Sequence, residues 1–307
     1  PRPLARLQKA SPTRFYEVGV RVLTDCWLLP RRLLARPMPS RLARLALGVS
    51  YRGGAYLGWQ SQPGGRTVQD ALEQALTSFA ATPVRTVCAG RTDTGVHAVN
   101  QVVHLDAPVE REPFSWVRGT NRYLPLDVAV QWCRPVSEHF HARNSARGRR
   151  YRYLLRESAV RPALDQGLVG WSFRPLDGEA MRAAAACLIG THDYSSFRSA
   201  DCQSPTPIKT LRGIHIHFSG APMAGYWAFD FDANAFLHHM VRNLMGSLVA
   251  VGTGSRAPEW MAQVLAARRR DAAAPTFSPD GLTFLGPYYD AEIGLPEPVA
   301  GAPWLPI

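Results

Sequence analysis

The hydrophobic period of this chain alternates between two and about 3.6, so strands and helices intermix along it, in one large domain or two smaller ones. Ala43, Leu45, Leu47, Val49 and Tyr51 alternate with Arg44, Ala46, Gly48 and Ser50, the pattern of a half-buried strand, and Gly53-Gly54 ends it. Thr67 then offers an N-cap with Asp70 following, and Val68, Ala71, Leu72, Ala75, Leu76 and Phe79 form a stripe at helical spacing. Further strands are expected over 84–89, 99–105, 128–133, 148–157, 211–218 and 226–234, and helices over 113–123, 178–188, 237–251 and 259–269. Hairpin-length and helix-length connections between strands predict an α+β fold of two similar α/β halves, 42–145 and 146–290. Gly252-Thr253-Gly254 reads as the stop of the apolar helix before it.

Of the formal charge of +11, residues 1–44 carry +8, with ten basic residues against only Glu17 and Asp25. Residues 1–41 show no strand or helix pattern and read as a disordered basic extension, and 291–307 as a proline-rich tail. The extension has three readings: an RNA-binding arm, an organellar transit peptide, or sequence upstream of a start at Met38, just before the regular pattern begins. A basic balance suits a phosphate-bearing partner without requiring one. Among 35 basic residues only Lys9 and Lys209 are lysines, which suits bidentate phosphate contacts and equally reflects a GC-rich genome.

The five cysteines, Cys26, Cys88, Cys133, Cys187 and Cys202, are odd in number and contain no Cys-x-x-Cys, so they read as reduced thiols of a cytosolic protein. No apolar stretch is long enough to span a bilayer as a helix. His215-Ile216-His217 shares a strand face and His238-His239 are adjacent on the expected helix, but neither pair has carboxylate or thiolate company in sequence, so no metal site is expected.

The most informative segment is Gly90-Arg91-Thr92-Asp93-Thr94-Gly95-Val96-His97, in a tight connection between two expected strands. Its glycines let the backbone pass close to a ligand and hold a carboxylate at a loop tip. On residue chemistry alone Asp93 has two readings, a turn cap or a catalytic group.

This segment resembles the catalytic loop of the TruA family of tRNA pseudouridine synthases. Further segments are similar in the same order: Tyr51-Arg52-Gly53 through Gly58-Trp59-Gln60, Thr67-Val68-Gln69, Phe140-His141-Ala142-Arg143, Arg149-Arg150-Tyr151-Arg152-Tyr153, His192 to Phe197, and Asn234 to Asn243 with its His238-His239-Met240-Val241-Arg242. The likeness covers about residues 43–290, and Asp93-Thr94-Gly95 stands where the family more often has Asp-Ala-Gly.

The resemblance implies a pseudouridine synthase fold with a mixed, largely antiparallel sheet and a central RNA-binding cleft. It implies an isomerase, in the sense of an intramolecular transferase, that needs no cofactor and converts uridines 38, 39 and 40 of the tRNA anticodon stem-loop to pseudouridine. Asp93 would be the nucleophile or the carboxylate that triggers glycosidic cleavage. Arg242 would pair with it and favour its charged form, and Tyr151 would stack on the base and move its proton. Arg91, Arg143, Arg149, Arg150 and Arg152 are candidate contacts to an RNA whose target base is flipped out, and the tRNA would lie across a cytoplasmic homodimer.

Other readings fit less well. A zinc deaminase would need a Glu where His97-Ala98-Val99 has none, and a following Pro-Cys-x-x-Cys. A catalytically silent RNA-binding protein would not need the intact loop, and a nucleoside glycosidase would release free base.

Overall fold

The computed structural model describes residues 43–296. The expected basic extension and all of the expected tail beyond residue 296 lie outside the described residues. The strands are β1 (Arg44–Tyr51), β2 (Val87–Cys88), β3 (His97–Asp106), β4 (Val128–Val136), β5 (Gly148–Ser158), β6 (Gly170–Ser172), β7 (Gly190–Asp193), β8 (Ile208–Ala221), β9 (Ala224–Ala233) and β10 (Leu282–Tyr288). The helices are α1 (Val68–Ala80), α2 (Pro113–Asn121), α3 (Gly178–Ala186), α4 (Met240–Gly252) and α5 (Trp260–Ala267). All strands join one sheet of order β4-β1-β3-β10-β5-β9-β8-β7, with β2 beside β3 and β6 beside β5. The β10–β3 and β5–β6 pairs are parallel and the rest antiparallel, so the sheet is mixed and largely antiparallel as expected.

Thr67 caps α1 as its sequence predicts, accepting from the Asp70 backbone N–H at 3.2 Å while its hydroxyl donates to the Asp70 carboxylate at 2.5 Å. Val68, Leu72, Ala75 and Leu76 are buried, and the Phe79 ring meets Trp116 of α2 edge-on at 5.2 Å. Each large apolar side chain in this layer contributes about 1.5–3 kcal/mol by leaving water. Toward the other end of the sheet α3 packs on β8, with α4 and α5 against α3.

β1 departs from the half-buried expectation. It lies between β3 and β4, and Leu45 through Val49 are all buried, Ala46 and Gly48 included. The small residues on its second face leave room for Trp132 of β4, whose indole would lie 2.1 Å from any Cβ at Gly48.

The strand expected over 84–89 shrinks to Val87–Cys88, because the Thr86 N–H is taken at 2.9 Å by the buried Glu73 carboxylate of α1. β6, β7 and β10 were not expected. β10 matters most, since it sits at mid-sheet between β3 and β5 and sets Phe284 opposite Tyr151 of β5. Gly286-Pro287 hides it in the sequence. Gly286 has φ +133 at a bulge, and a Cβ there would meet the Asn100 carbonyl at 2.7 Å. Among the described residues no helix is long and apolar enough to cross a membrane.

Candidate active site

Asp93 stands in the connection from β2 to β3, and its neighbours are fixed on both sides. Gln101 of β3 clamps Gly90, its side-chain amide donating to the Gly90 carbonyl while its oxygen accepts from the Gly90 N–H at 3.3 Å. The Thr92 hydroxyl shares a 2.8 Å hydrogen bond with the Tyr51 phenol, and the Thr92 carbonyl accepts from Trp59 N–H at 3.0 Å. The Asp93 carbonyl accepts from Val96 N–H at 3.1 Å, closing a turn that Gly95 completes at φ +83.

The Tyr51–Gln60 segment is the brace for this loop. A Cβ at Gly53 would lie 2.0 Å from the Val96 carbonyl oxygen, and one at Gly58, which has φ +87, 2.7 Å from the Thr92 oxygen. Only glycine permits backbone to pack on backbone this closely. The Gly53 N–H also donates to His97 Nδ1 at 3.1 Å, while His97 Nε2 bonds the Gly167 carbonyl at 2.7 Å. Burial lowers the His97 imidazole below its ordinary range, most strongly of its causes.

The N-terminus of α4 faces this carboxylate. Arg242 is the one charged residue of that helix, which is otherwise almost wholly buried. Its Nη1 lies 3.3 Å from Asp93 Oδ2, its Nε donates to the Phe277 carbonyl at 2.9 Å, and Phe277 N–H returns a bond to the Arg242 carbonyl at 3.1 Å. The guanidinium is thus held from behind, and both side chains are mostly withdrawn from solvent, at 15% and 19% exposure.

Tyr151 on β5 projects onto the same side. Its ring meets Phe236 edge-on at 5.1 Å and lies 4.9 Å from Phe284. Burial raises its phenol pKa, and the nearby Asp93 charge adds to the rise. The fold thus sets Arg242 against Asp93 and brings Tyr151 near enough to feel the Asp93 charge, from three distant segments.

The five arginines divide. Arg91 is exposed two residues before Asp93 and donates to Gln203 at 3.2 Å, and Arg143 is exposed in the loop before β5. Arg149 is a brace, its guanidinium bonded to the carbonyls of Asn234, Ala89 and Arg143 at 3.0, 3.0 and 2.7 Å, and burial lowers its pKa. Arg150 and Arg152 point to the opposite face of β5 from Tyr151, as alternate strand residues must. There Arg152 grips Asp230 through two bonds of 2.6 and 2.8 Å, and Arg150 lies over the Tyr288 ring at 4.8 Å with Asp232 at 3.9 Å.

The histidine pair corrects the sequence reading. His238 and His239 precede α4 rather than lying within it, and the fold supplies the carboxylate they lacked: Asp93 Oδ1 is 3.5 Å from His238 Nε2 and Oδ2 is 3.5 Å from His239 Nε2. Burial is the larger influence on His239 and lowers its pKa, against the Asp93 charge, which raises it. Their signal in the sequence was position alone, immediately before the turn that carries Arg242.

A family model described as tRNA pseudouridine synthase matches residues 48–144 and 184–290. The tRNA pseudouridine synthase A of Methylibium petroleiphilum is 70% identical over 263 residues, which cover 86% of this chain and 100% of that protein. The protein of the same name from Polaromonas naphthalenivorans is 61% identical over 263 residues, with coverage of 86% and 100%.

Proposed function

This chain belongs to the tRNA pseudouridine synthase family and is an isomerase, and from that premise we propose that Asp93 is the catalytic carboxylate with which it converts uridines 38, 39 and 40 of the anticodon stem-loop. The observation that carries this reading is the meeting of Asp93 and Arg242 at 3.3 Å on two braced supports, a clamped loop and a nearly buried helix. A group that must meet a ribose carbon within a fraction of an ångström gains from such preorganisation.

The reaction breaks the bond from ribose C1′ to N1, turns the base, and forms the bond from C1′ to C5. N1 gains a proton and C5 loses one, so atoms and electrons balance without a co-reactant. Asp93 attacks C1′ or triggers departure of the base, and Arg242 orients it. Tyr151, backed by Phe236 and Phe284, stacks on the flipped base and handles its proton. Extruding the base costs a few kcal/mol of stacking, which phosphate contacts must offset. Arg91 and Arg143 are the exposed cations suited to that, whereas Arg149 is engaged as a brace and Arg150 and Arg152 with acids on the other face.

The same reading includes a homodimer with the tRNA across it, action in the cytoplasm, and a division into halves near residue 145. Release of tritium from tRNA carrying C5-tritiated uridine tests the central claim, since bond formation at C5 must expel that hydrogen. We expect release by the wild type and none by Asp93→Asn. Release that survives the substitution would remove Asp93 from the reaction.

A further inference from the structure

Asp93, His238 and His239 are the one group of three or more potential metal ligands close enough to share an ion among the described residues, with ligand atoms all within 4.8 Å of one another. We propose that they form a site for a divalent transition metal of the zinc class, and that an ion bound there closes the carboxylate to the reaction. The binding stands on geometry alone, while the effect on turnover rests on the role given to Asp93 above.

A tetrahedral zinc with bonds of about 2.0–2.1 Å holds neighbouring ligand atoms about 3.4 Å apart. Each imidazole already stands at about that distance from one carboxylate oxygen, His238 Nε2 at 3.5 Å from Oδ1 and His239 Nε2 at 3.5 Å from Oδ2, so a small turn of the carboxylate or of one ring brings all three groups onto one ion. Consecutive residues of a helix do not present their side chains together. Here they do, because His239 caps α4 in the left-handed region at φ 62, which sets the two rings nearly stacked, 4.0 Å between centroids and 36° between planes. Backbone in that region costs a histidine energy and persists where surrounding structure imposes it.

Two imidazoles and one carboxylate, with a fourth position open, form the donor set of a zinc site of the catalytic kind. The set suits zinc, cobalt or nickel and does not suit magnesium or calcium, which take oxygen ligands. Access is open, with His238 38% and His239 28% exposed. Arg242 opposes the ion by charge, yet it bonds only Oδ2, and a carboxylate offers about four lone-pair positions. The expected site is therefore reversible and inhibitory rather than structural.

The test is a titration of the full chain, free of RNA, with Co²⁺ followed by visible absorption. We expect the bands of low-coordinate cobalt, removed by Zn²⁺ and untouched by Mg²⁺. They weaken about tenfold or more in His238→Ala, in Asp93→Asn and in His239→Asn, where asparagine keeps the left-handed backbone accessible. They remain when the exposed pair on β8 is removed in His215→Ala/His217→Ala. Circular dichroism of each variant confirms folding. Bands that persist in all three site variants, bands lost with the β8 pair, or no bands in the wild type would each overturn the site. Tritium release by the wild type should fall in step with zinc occupancy. Full turnover at full occupancy would overturn the closure and the reading of Asp93 together, while leaving the metal site standing.

Discussion

Arg242 bridges two partners with one side chain, Nη1 toward Asp93 Oδ2 at 3.3 Å and Nε to the Phe277 carbonyl at 2.9 Å. A lysine has one compact ammonium in place of that fork, and it cannot span both acceptors in the same plane. Arg242→Lys should therefore keep the fold and lose about 10²–10³ in single-turnover rate, the range seen when one preorganised donor is removed from a reacting site. Binding of tRNA should change little. A variant that retains most of its rate would show that charge alone, without orientation, is what Asp93 requires.

The brace under the loop can be tested without touching a reacting group. Gly58 at φ +87 sits where a Cβ would meet the Thr92 oxygen at 2.7 Å, while Gly54 has nothing within 4 Å of that position. Gly58→Ala should cost about 1–3 kcal/mol of stability through the strained backbone and slow turnover by displacing Asp93. Gly54→Ala should leave both within about 0.5 kcal/mol and twofold of the wild type. Urea midpoints and tritium-release rates measured side by side settle it, and equal behaviour of the two variants would refute the brace.

What could be read from the sequence divides along physical lines. α1 was legible because cap, stripe and length agree within one segment, and the Asp93 loop because its glycines and carboxylate sit close together in the chain. β10 was not, because its identity as a strand comes from burial between β3 and β5, while Gly286-Pro287 reads locally as a turn. The histidine pair was misjudged for the same reason: the carboxylate it faces is Asp93, far away in sequence. The grouping of Arg150 and Arg152 with Tyr151 is different, since the period of two already puts their side chains on opposite faces.

That division of arginines makes a binding prediction. Removing one cation that neutralises a phosphate should reduce the slope of log affinity against log salt by about 1. Arg91→Ala should weaken tRNA binding and show that change, because Arg91 is exposed beside the loop and its hydrogen bond among the described residues is to the neutral Gln203 at 3.2 Å. Arg152→Ala should leave affinity and slope unaltered, since its guanidinium already grips Asp230 on the far face. Anisotropy titrations across a salt series read both. A shallower slope in Arg152→Ala would mean that the RNA covers that face too.

His104 gives the fold a specific weakness in acid. It lies on β3 well beyond the Asp93 loop, buried, with Nδ1 accepting from Ala142 N–H at 3.1 Å, a bond that protonation of Nδ1 would break. Burial lowers its pKa from 6.5 to about 4, with Arg44 and His141 pushing the same way and Asp106 against. Between those values the unfolded chain takes up a proton that the folded chain refuses. The stability contributed by the neutral ring is therefore complete above about pH 6.5 and erodes as pH falls toward 4, by about 3 kcal/mol in all. His104→Gln offers an acceptor to Ala142 and does not titrate. Urea midpoints at pH 8, 6 and 5 should fall more steeply for the wild type than for this variant, because the other titrating groups are common to both and cancel. Parallel curves would mean that the folded protein protonates His104 as readily as the unfolded chain does.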